Sequence, residues 1–240
     1  TEFLPVSSSG HLELGKALLD MNLKDNLFFS IILHAATALS TIVVFRKEIG
    51  LILKGMLQFK WNNEWEFAAK IVISMIPVGI VGLFFKDMLE EYFDGKISFV
   101  GGMLLVTSVL LFLTVFQQKN KDKQIAQETP SIAFMNQNIS YWQALVIGIA
   151  QSIAVLPGLS RSGATIATAL LIGVPRNEAA RFSFLMVLAP IFGANLLEIK
   201  DYVEQDAALS LNISMIAIGF ITAFVVGLIA CYWMVELVKK

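Results

Sequence analysis

Long uncharged, apolar stretches dominate the chain. No Asp, Glu, Lys or Arg occurs at positions 26–45, 97–118 or 207–235. Each stretch reaches the roughly 20 residues that a helix needs to cross the bilayer core. Two shorter apolar segments are 67–85, which contains a lysine near one end, and 182–197, which has no charge. The pattern predicts five membrane-spanning helices in an all-α, polytopic membrane protein.

The composition supports a single transmembrane domain over residues 1–240. The chain is 56% hydrophobic and only 15% charged, whereas a soluble domain carries about 25% charged residues. A net charge of −1 gives no reason to expect nucleic acid as a partner. The single cysteine, Cys231, excludes a disulfide within the chain and a zinc site built from cysteines.

The basic residues of the predicted loops favour one orientation. Cytoplasmic loops are enriched in Lys and Arg. If the five spans alternate, the loops 46–66, 117–130 and 176–181 lie inside with four, three and two basic residues. The loops 20–25, 86–96 and 198–206 then lie outside with one, two and one.

The segment 129–181 does not fit a simple alternation, because both of its ends must lie inside. The segments 129–160 and 162–175 are uncharged. The simplest solution is a re-entrant hairpin with arms at about 140–156 and 160–174 and a turn at Pro157 and Gly158. Irregular backbone at membrane depth is tolerated only where protein or a water-filled cavity satisfies it, so this turn indicates a functional site.

A second, similar turn lies at the N-terminus. Residues 4–11 (LPVSSSGH) match 156–164 (LPGLSRSGA), with an offset of 153 from the serines onward, and residues 74–79 (SMIPVG) match 214–219 (SMIAIG). The matching spans run in opposite directions in the predicted topology, which is the signature of an inverted repeat. The first repeat is predicted at 1–118 and the second at 140–240. The repeat also predicts that the first arm of the N-terminal hairpin and a last helix lie beyond the two ends of the sequence.

The second turn has the chemistry of a phosphate site. Ser160, Arg161 and Ser162 open a helix, and a helix N-terminus offers unpaired N–H groups and a positive dipole end to an anion. The guanidinium of Arg161 suits phosphate oxygens, and an arginine at membrane depth is costly unless it serves a function. Thr165 lies one helical turn further on. The structural alternative is an arginine paired with a carboxylate to hold the helices together.

The first turn offers complementary groups. Ser7 and Ser8 again open a helix, and His11 follows Ser8 by three residues, so both can share a helix face. A serine near a histidine is a nucleophile–base pattern, although a hydrogen-bonded packing histidine is the alternative. Glu2 lies in an apolar context, where it would bind a cation or orient His11. His34, in the middle of a span, is interpreted first as a residue that hydrogen-bonds to a neighbouring helix.

Together these groups predict a site for a lipid diphosphate. Inverted symmetry would bring the two turns together, so that Arg161, helix-start amides and serines hold the diphosphate. Ser8 or a water molecule would attack phosphorus while His11 moves the proton, and Arg161 would stabilise the charge on the equatorial oxygens. The lipid tail would lie between the spans.

The two turns resemble the signature motifs of the bacterial undecaprenyl-diphosphate phosphatase family of the bacitracin-resistance type. The matching segments are 2–11 (EFLPVSSSGH) and 157–165 (PGLSRSGAT). The resemblance implies a hydrolase of the bacterial cytoplasmic membrane that converts undecaprenyl diphosphate to undecaprenyl phosphate. This reaction recycles the carrier lipid for peptidoglycan synthesis, cell-wall biogenesis and cell shape, and extra activity gives bacitracin resistance. It also implies an inverted repeat with two re-entrant helical hairpins and a cavity that opens to the outer side.

By motif matching, the resemblance assigns roles to eight residues. It implies catalytic roles for Glu2, Ser8, His11 and Arg161. It implies substrate contacts for Ser7, Ser160, Ser162 and Thr165. A divalent cation, Mg²⁺ or Ca²⁺, is implied by the family, while the sequence shows no metal cage beyond Glu2 and the substrate's own oxygens. Monomer and homodimer are both open.

Two other classes of protein compete with this interpretation. A lipid-phosphate transporter or flippase would use the same inverted-repeat site, but it needs no proton-transfer pair, so replacing His11 should spare it. A structural membrane scaffold would not explain Arg161 beside a Pro-Gly turn at membrane depth.

Overall fold

The described part of the chain is entirely helical. The computed structural model describes residues 2–19, 26–85, 97–125, 139–204 and 213–239. Over these residues there are nine helices and no strand. They are α1 Ser8–Leu19, α2 Asn26–Val44, α3 Arg46–Met56, α4 Asn63–Phe84, α5 Ile97–Ile125, α6 Tyr141–Ile153, α7 Arg161–Leu171, α8 Arg176–Glu204 and α9 Ile213–Lys239.

Over the described residues, four helices are long and apolar enough to cross a membrane, as a multi-pass membrane protein requires. The candidate spans are Asn63–Phe84 in α4, Ile97–Val115 in α5, Arg176–Leu196 in α8 and Ile216–Leu237 in α9. The shorter apolar segment Ile32–Val44 belongs to α2, whose full length is 19 residues.

The structure differs from the sequence prediction at several places, including the end of the span predicted at 182–197, where α8 continues to Glu204. The loop predicted at 46–66 contains α3, an 11-residue helix that packs Ile49 and Ile52 against the core. The span predicted at 182–197 begins six residues earlier, at Arg176, because Glu178 and Ala179 donate their N–H groups to Pro175 O and extend the helix start. The loops 20–25 and 86–96 lie outside the described residues, so the predicted orientation stays a prediction.

Phenylalanine rings join the N-terminal turn to the helix bundle. Phe3 and Phe45 are buried and lie 6.2 and 6.0 Å, centroid to centroid, from the ring of Phe184 in α8. Nearby, the rings of Phe67 and Phe182 pack edge to face, with 5.8 Å between their centroids. Aromatic pairs at these distances stabilise beyond their buried area. The residues that precede α1 are therefore fixed against α8 by apolar packing.

The helices of the predicted second hairpin are both present and both short. Ser140 begins α6 with a capping box, in which its Oγ accepts from Gln143 N while Gln143 Oε1 accepts from Ser140 N. The following turn leads into α7, and the Gln143 amide donates across to Ile172 O at the far end of α7. This contact joins the open ends of the two helices, so α6 and α7 form a closed helical hairpin.

Helix α6 packs closely on α4 because Gly148 has no side chain. A Cβ at position 148 would collide with the backbone of Ser74, including its carbonyl oxygen. Small residues at helix interfaces allow such close backbone approach in membranes. The short hairpin is therefore held to a membrane-spanning helix by backbone contact.

We expect Gly148→Ala to destabilise the protein by about 1–3 kcal/mol, because the backbone of Ser74 cannot move aside without separating the two helices. The measurement is thermal unfolding of the purified protein in detergent. Gly79→Ala is the matched control, since a Cβ there meets nothing within 4 Å. Equal unfolding midpoints for the two variants would contradict this account of the packing.

Candidate functional site

The second turn ends in a capped helix start. Ser160 is the N-cap of α7, and its Oγ accepts from Gly163 N at 3.1 Å. Its own N–H donates to Thr107 Oγ1 of α5 at 3.0 Å, which ties the turn to a membrane-spanning helix. The backbone N–H groups of Arg161 and Ser162 have no partner among the described residues. Two donors are thus left free beside a guanidinium, as an anion site requires.

The first turn repeats this arrangement. Helix α1 begins at Ser8, and the Oγ of Ser7 accepts from Gly10 N at 3.1 Å. Ser7 and Ser9 join their hydroxyls at 3.3 Å, as Ser160 and Ser162 do at 3.4 Å. Ser7 has a φ of 65°, which is uncommon outside glycine and is found where surrounding structure imposes it. The same hydrogen bonds therefore recur 153 residues apart.

The two turns touch each other. The N–H of Gly158 donates to Ser9 Oγ at 3.4 Å, and Ser162 Oγ donates to the carbonyl oxygens of Glu2 and Leu4 at 3.5 and 3.4 Å. Gly158 has a φ of 90°, a conformation that glycine adopts without strain. These hydrogen bonds confirm the prediction that the two turns lie next to each other.

A small cavity lies where the turns meet α2 and α8. Its volume is about 30 Å³, which is room for about two water molecules. Four of the predicted site residues line it: Glu2, Arg161, Ser162 and Thr165. The remaining wall comes from Phe3, from Thr37, Ala38 and Thr41 of α2, and from Ser183, Phe184, Val187 and Ile191 of α8.

Opposite charges face each other in this cavity. The carboxylate of Glu2 lies near the Ser8 side chain and interacts electrostatically with His34 and Arg161. No carboxylate of the described residues lies within salt-bridge distance of the guanidinium, whereas the buried Lys70 pairs with Glu66 at 2.7 Å. The structural alternative for Arg161, a tight ion pair that holds helices together, is therefore not what the structure contains.

His34 of α2 lies beside Glu2, outside the residues that line the cavity. Its Nδ1 lies 3.9 Å from Glu2 Oε1, too far for a hydrogen bond and close enough for a charge interaction. A polar residue in the middle of an apolar span was the only signal in the sequence. The partner is 32 residues away in the chain, so spacing did not reveal it.

His11 and Ser8 belong to the same helix start but do not bond to each other. His11 is exposed, and its Nδ1 lies 2.7 Å from Ser7 O. Since a carbonyl only accepts, Nδ1 carries the proton and Nε2 is left as the base. The Ser8 side chain instead contacts Glu2. The Ser8–His11 nucleophile–base pair stays a prediction.

The polar residues of the cavity walls on α2 and α8 were also missed from the sequence. Thr41 donates to Thr37 O within α2, and Thr165 Oγ1 donates to Arg161 O within α7. The hydroxyl of Ser183 has no hydrogen-bond partner among the described residues. Single hydroxyl residues inside apolar spans carry no local signal of function, because most of them bond to their own helix.

Comparison with known proteins identifies relatives over the whole length of the chain. Residues 1–240 match the family described as bacitracin resistance protein BacA. An undecaprenyl-diphosphatase of Christiangramia forsetii is 52% identical over 243 residues, which cover 100% of this chain and 85% of the relative. The undecaprenyl-diphosphatases of Bacteroides thetaiotaomicron and Methanosphaera stadtmanae are 47% and 37% identical, each over 100% of this chain and over 86% and 85% of the relative. The chain belongs to the bacitracin resistance protein BacA family.

Proposed function

We infer that the protein hydrolyses undecaprenyl diphosphate to undecaprenyl phosphate and inorganic phosphate. The observation that carries this function is the cavity in which Arg161, at the start of a helix, faces the carboxylate of Glu2. The relatives named as undecaprenyl-diphosphatases cover the whole chain. Their shared name favours hydrolysis over the transporter or flippase alternative.

The charges of the cavity suit a diphosphate attached to a lipid. The guanidinium and the free N–H groups of Arg161 and Ser162 are fixed donors, and fixed donors stabilise the charge that develops during phosphoryl transfer. Val187 and Ile191 continue the wall as an apolar surface. The cavity therefore has polar groups suited to a phosphate at one end and apolar side chains of α8 beside them.

Ser8 is the nucleophile that the geometry favours. Its side chain lies near the Glu2 carboxylate, so in this proposal Glu2 takes the proton as Oγ attacks the terminal phosphorus. The bond to the bridging oxygen then breaks, undecaprenyl phosphate leaves, and water hydrolyses the phosphoserine to inorganic phosphate. His11 Nε2, the unprotonated ring nitrogen, takes the proton of the water that hydrolyses the phosphoserine, and Arg161 stabilises the equatorial oxygens.

A divalent cation, Mg²⁺ or Ca²⁺, is compatible with Glu2. Mg²⁺ is commonly bound by one or two carboxylates together with substrate phosphates, and Glu2 is a carboxylate that lines the cavity. Among the described residues no three His, Cys, Asp or Glu side chains converge. The cation would therefore be bound by Glu2 and the diphosphate together and would neutralise charge on the phosphates.

An inverted repeat with two re-entrant hairpins explains the site best. The support is the pair of matching hydrogen bonds, Ser7 with Gly10 and Ser160 with Gly163, 153 residues apart. Helices α6 and α7 have 13 and 11 residues, about 20 and 16 Å of rise, and so are too short for a bilayer core of about 30 Å.

The cellular role follows from the reaction. The protein acts in the bacterial cytoplasmic membrane, where it returns the carrier lipid to its monophosphate form for peptidoglycan synthesis. Bacitracin resistance follows because hydrolysis removes the lipid diphosphate. In this proposal the cavity opens to the outer side of the membrane. If the protein forms a homodimer, each chain would contain its own complete site.

We expect Arg161→Ala to lower the rate of phosphate release from undecaprenyl diphosphate by about 10²–10³-fold, because the transition-state charge loses a fixed donor. His11→Ala should lower it by about 10²–10⁴-fold. The measurement is phosphate release by the purified protein in detergent. Arg46→Ala is the matched control, since Arg46 is exposed and donates only to Val43 O.

Two results would contradict the proposed function. Rapid hydrolysis by the Arg161→Ala protein would show that the guanidinium takes no part in the reaction. Transport of the lipid by a His11→Ala protein that no longer releases phosphate, with equal transport by the unmodified protein, would favour the flippase instead.

Attack by Ser8 makes a separate prediction. Ser8→Ala should lower phosphate release by at least about 10³-fold, and acid quenching during turnover of substrate labelled on the terminal phosphorus should leave label on Ser8. Ser152→Ala is the control, because this serine donates to Ile149 O within α6. A Ser8→Ala protein with a tenth or more of the original rate would show that water attacks directly.

A further inference from the structure

Buried hydroxyl groups in this protein almost always bond to their own helix. A Ser or Thr inside a helix commonly donates to the carbonyl three or four residues earlier. Ser40 donates to Ala36 O and Ser74 donates to Ile71 O. The same pattern holds for Thr41, Thr107, Thr114, Ser152 and Thr165.

Ser183 of α8 is the one buried serine or threonine of the described residues whose hydroxyl has no hydrogen-bond partner, since the hydroxyls of Ser7 and Ser160 accept from Gly10 N and Gly163 N. Only 3% of its surface is exposed, and its Oγ has no hydrogen-bond partner. The acceptors that the pattern offers, the carbonyls of Ala179 and Ala180, are not used. A hydroxyl buried without a partner destabilises a protein, since it has lost its hydrogen bonds to water.

The position of Ser183 in the cavity wall gives its unpaired hydroxyl a function. The residue lines the same cavity as Glu2 and Arg161. Val187 and Ile191, one and two turns further along α8, also line it. Ser183 is therefore the one polar residue in a row on α8 that otherwise consists of the apolar Val187 and Ile191. This row lines the same cavity as the charged side chains of Glu2 and Arg161.

We propose that Ser183 Oγ donates a hydrogen bond to a phosphate oxygen of the substrate. The hydroxyl adds a neutral donor from α8 to the guanidinium and the free amides of α7, so that the phosphate is held from two sides of the cavity. This inference rests on the proposed hydrolysis of undecaprenyl diphosphate and names a phosphate-binding residue that neither signature segment contains.

The test separates stability from binding. Ser183→Ala removes a hydroxyl that has no partner, so without ligand its unfolding midpoint should equal or exceed that of the unmodified protein. Its kcat/KM for undecaprenyl diphosphate should fall about 10- to 100-fold, the effect of losing one hydrogen bond to a charged group. The rise in unfolding midpoint that inorganic phosphate causes should shrink as well.

Two further variants control for packing. Ser74→Ala removes a buried hydroxyl that does have a partner, at 2.6 Å, away from the cavity. It should lower the unfolding midpoint and leave kcat/KM unchanged. Ser183→Cys keeps nearly the same volume with a weak donor, so its kcat/KM should resemble that of Ser183→Ala.

The outcomes distinguish this inference from the proposed function. If Ser183→Ala keeps kcat/KM, or lowers the unfolding midpoint as Ser74→Ala does, Ser183 has a structural role and the inference fails while hydrolysis stands. If the unmodified protein releases no phosphate from undecaprenyl diphosphate, the proposed function fails. The response of the midpoint to inorganic phosphate would still show whether Ser183 binds that anion.

Discussion

The contact between two helix starts is the constraint on which the site depends. In the proposed re-entrant arrangement, a turn at membrane depth would expose backbone N–H and C=O groups that lipid cannot satisfy. In this protein the turns satisfy each other, since Gly158 N donates to Ser9 Oγ and Ser162 Oγ donates to the carbonyls of Glu2 and Leu4. The serines that cap the helices thus also join the turns, and this contact places Arg161 and Glu2 in one cavity.

The capping pattern determines which donors remain for a ligand. Ser160 and Ser7 each bind the N–H of the glycine three residues later. These bonds use one of the unpaired amides that every helix start presents. The amides of Arg161 and Ser162 remain, directly beside the guanidinium. A serine at the N-cap therefore fixes the helix start without occupying the groups that face a phosphate.

Much of this arrangement could be predicted from the sequence, because it depends on local patterns. The apolar runs predicted the long helices, and the Ser-Arg-Ser-Gly and Ser-Ser-Ser-Gly turns predicted two helix starts. Helix α3 was not predicted, since its 11 residues are short and mix Lys and Arg with leucine and isoleucine. Ser183 was missed, and the Glu2 neighbour of His34 was not foreseen, because each is one polar residue in an apolar run. Only the packing of α2 and α8 around the N-terminal turn gives these residues their neighbours.

A buried lysine and a half-buried arginine in the same chain differ in how their charges are paired. Lys70 is 3% exposed, pairs with Glu66 one turn away at 2.7 Å and lies 5.4 Å above the ring of Tyr141. Its charge is thus compensated by the protein itself. Arg161 interacts with the Glu2 charge across a cavity without a contact ion pair among the described residues. A charge removed from water is costly unless it is closely paired, and the open position beside the half-buried Arg161 fits the anion site proposed above.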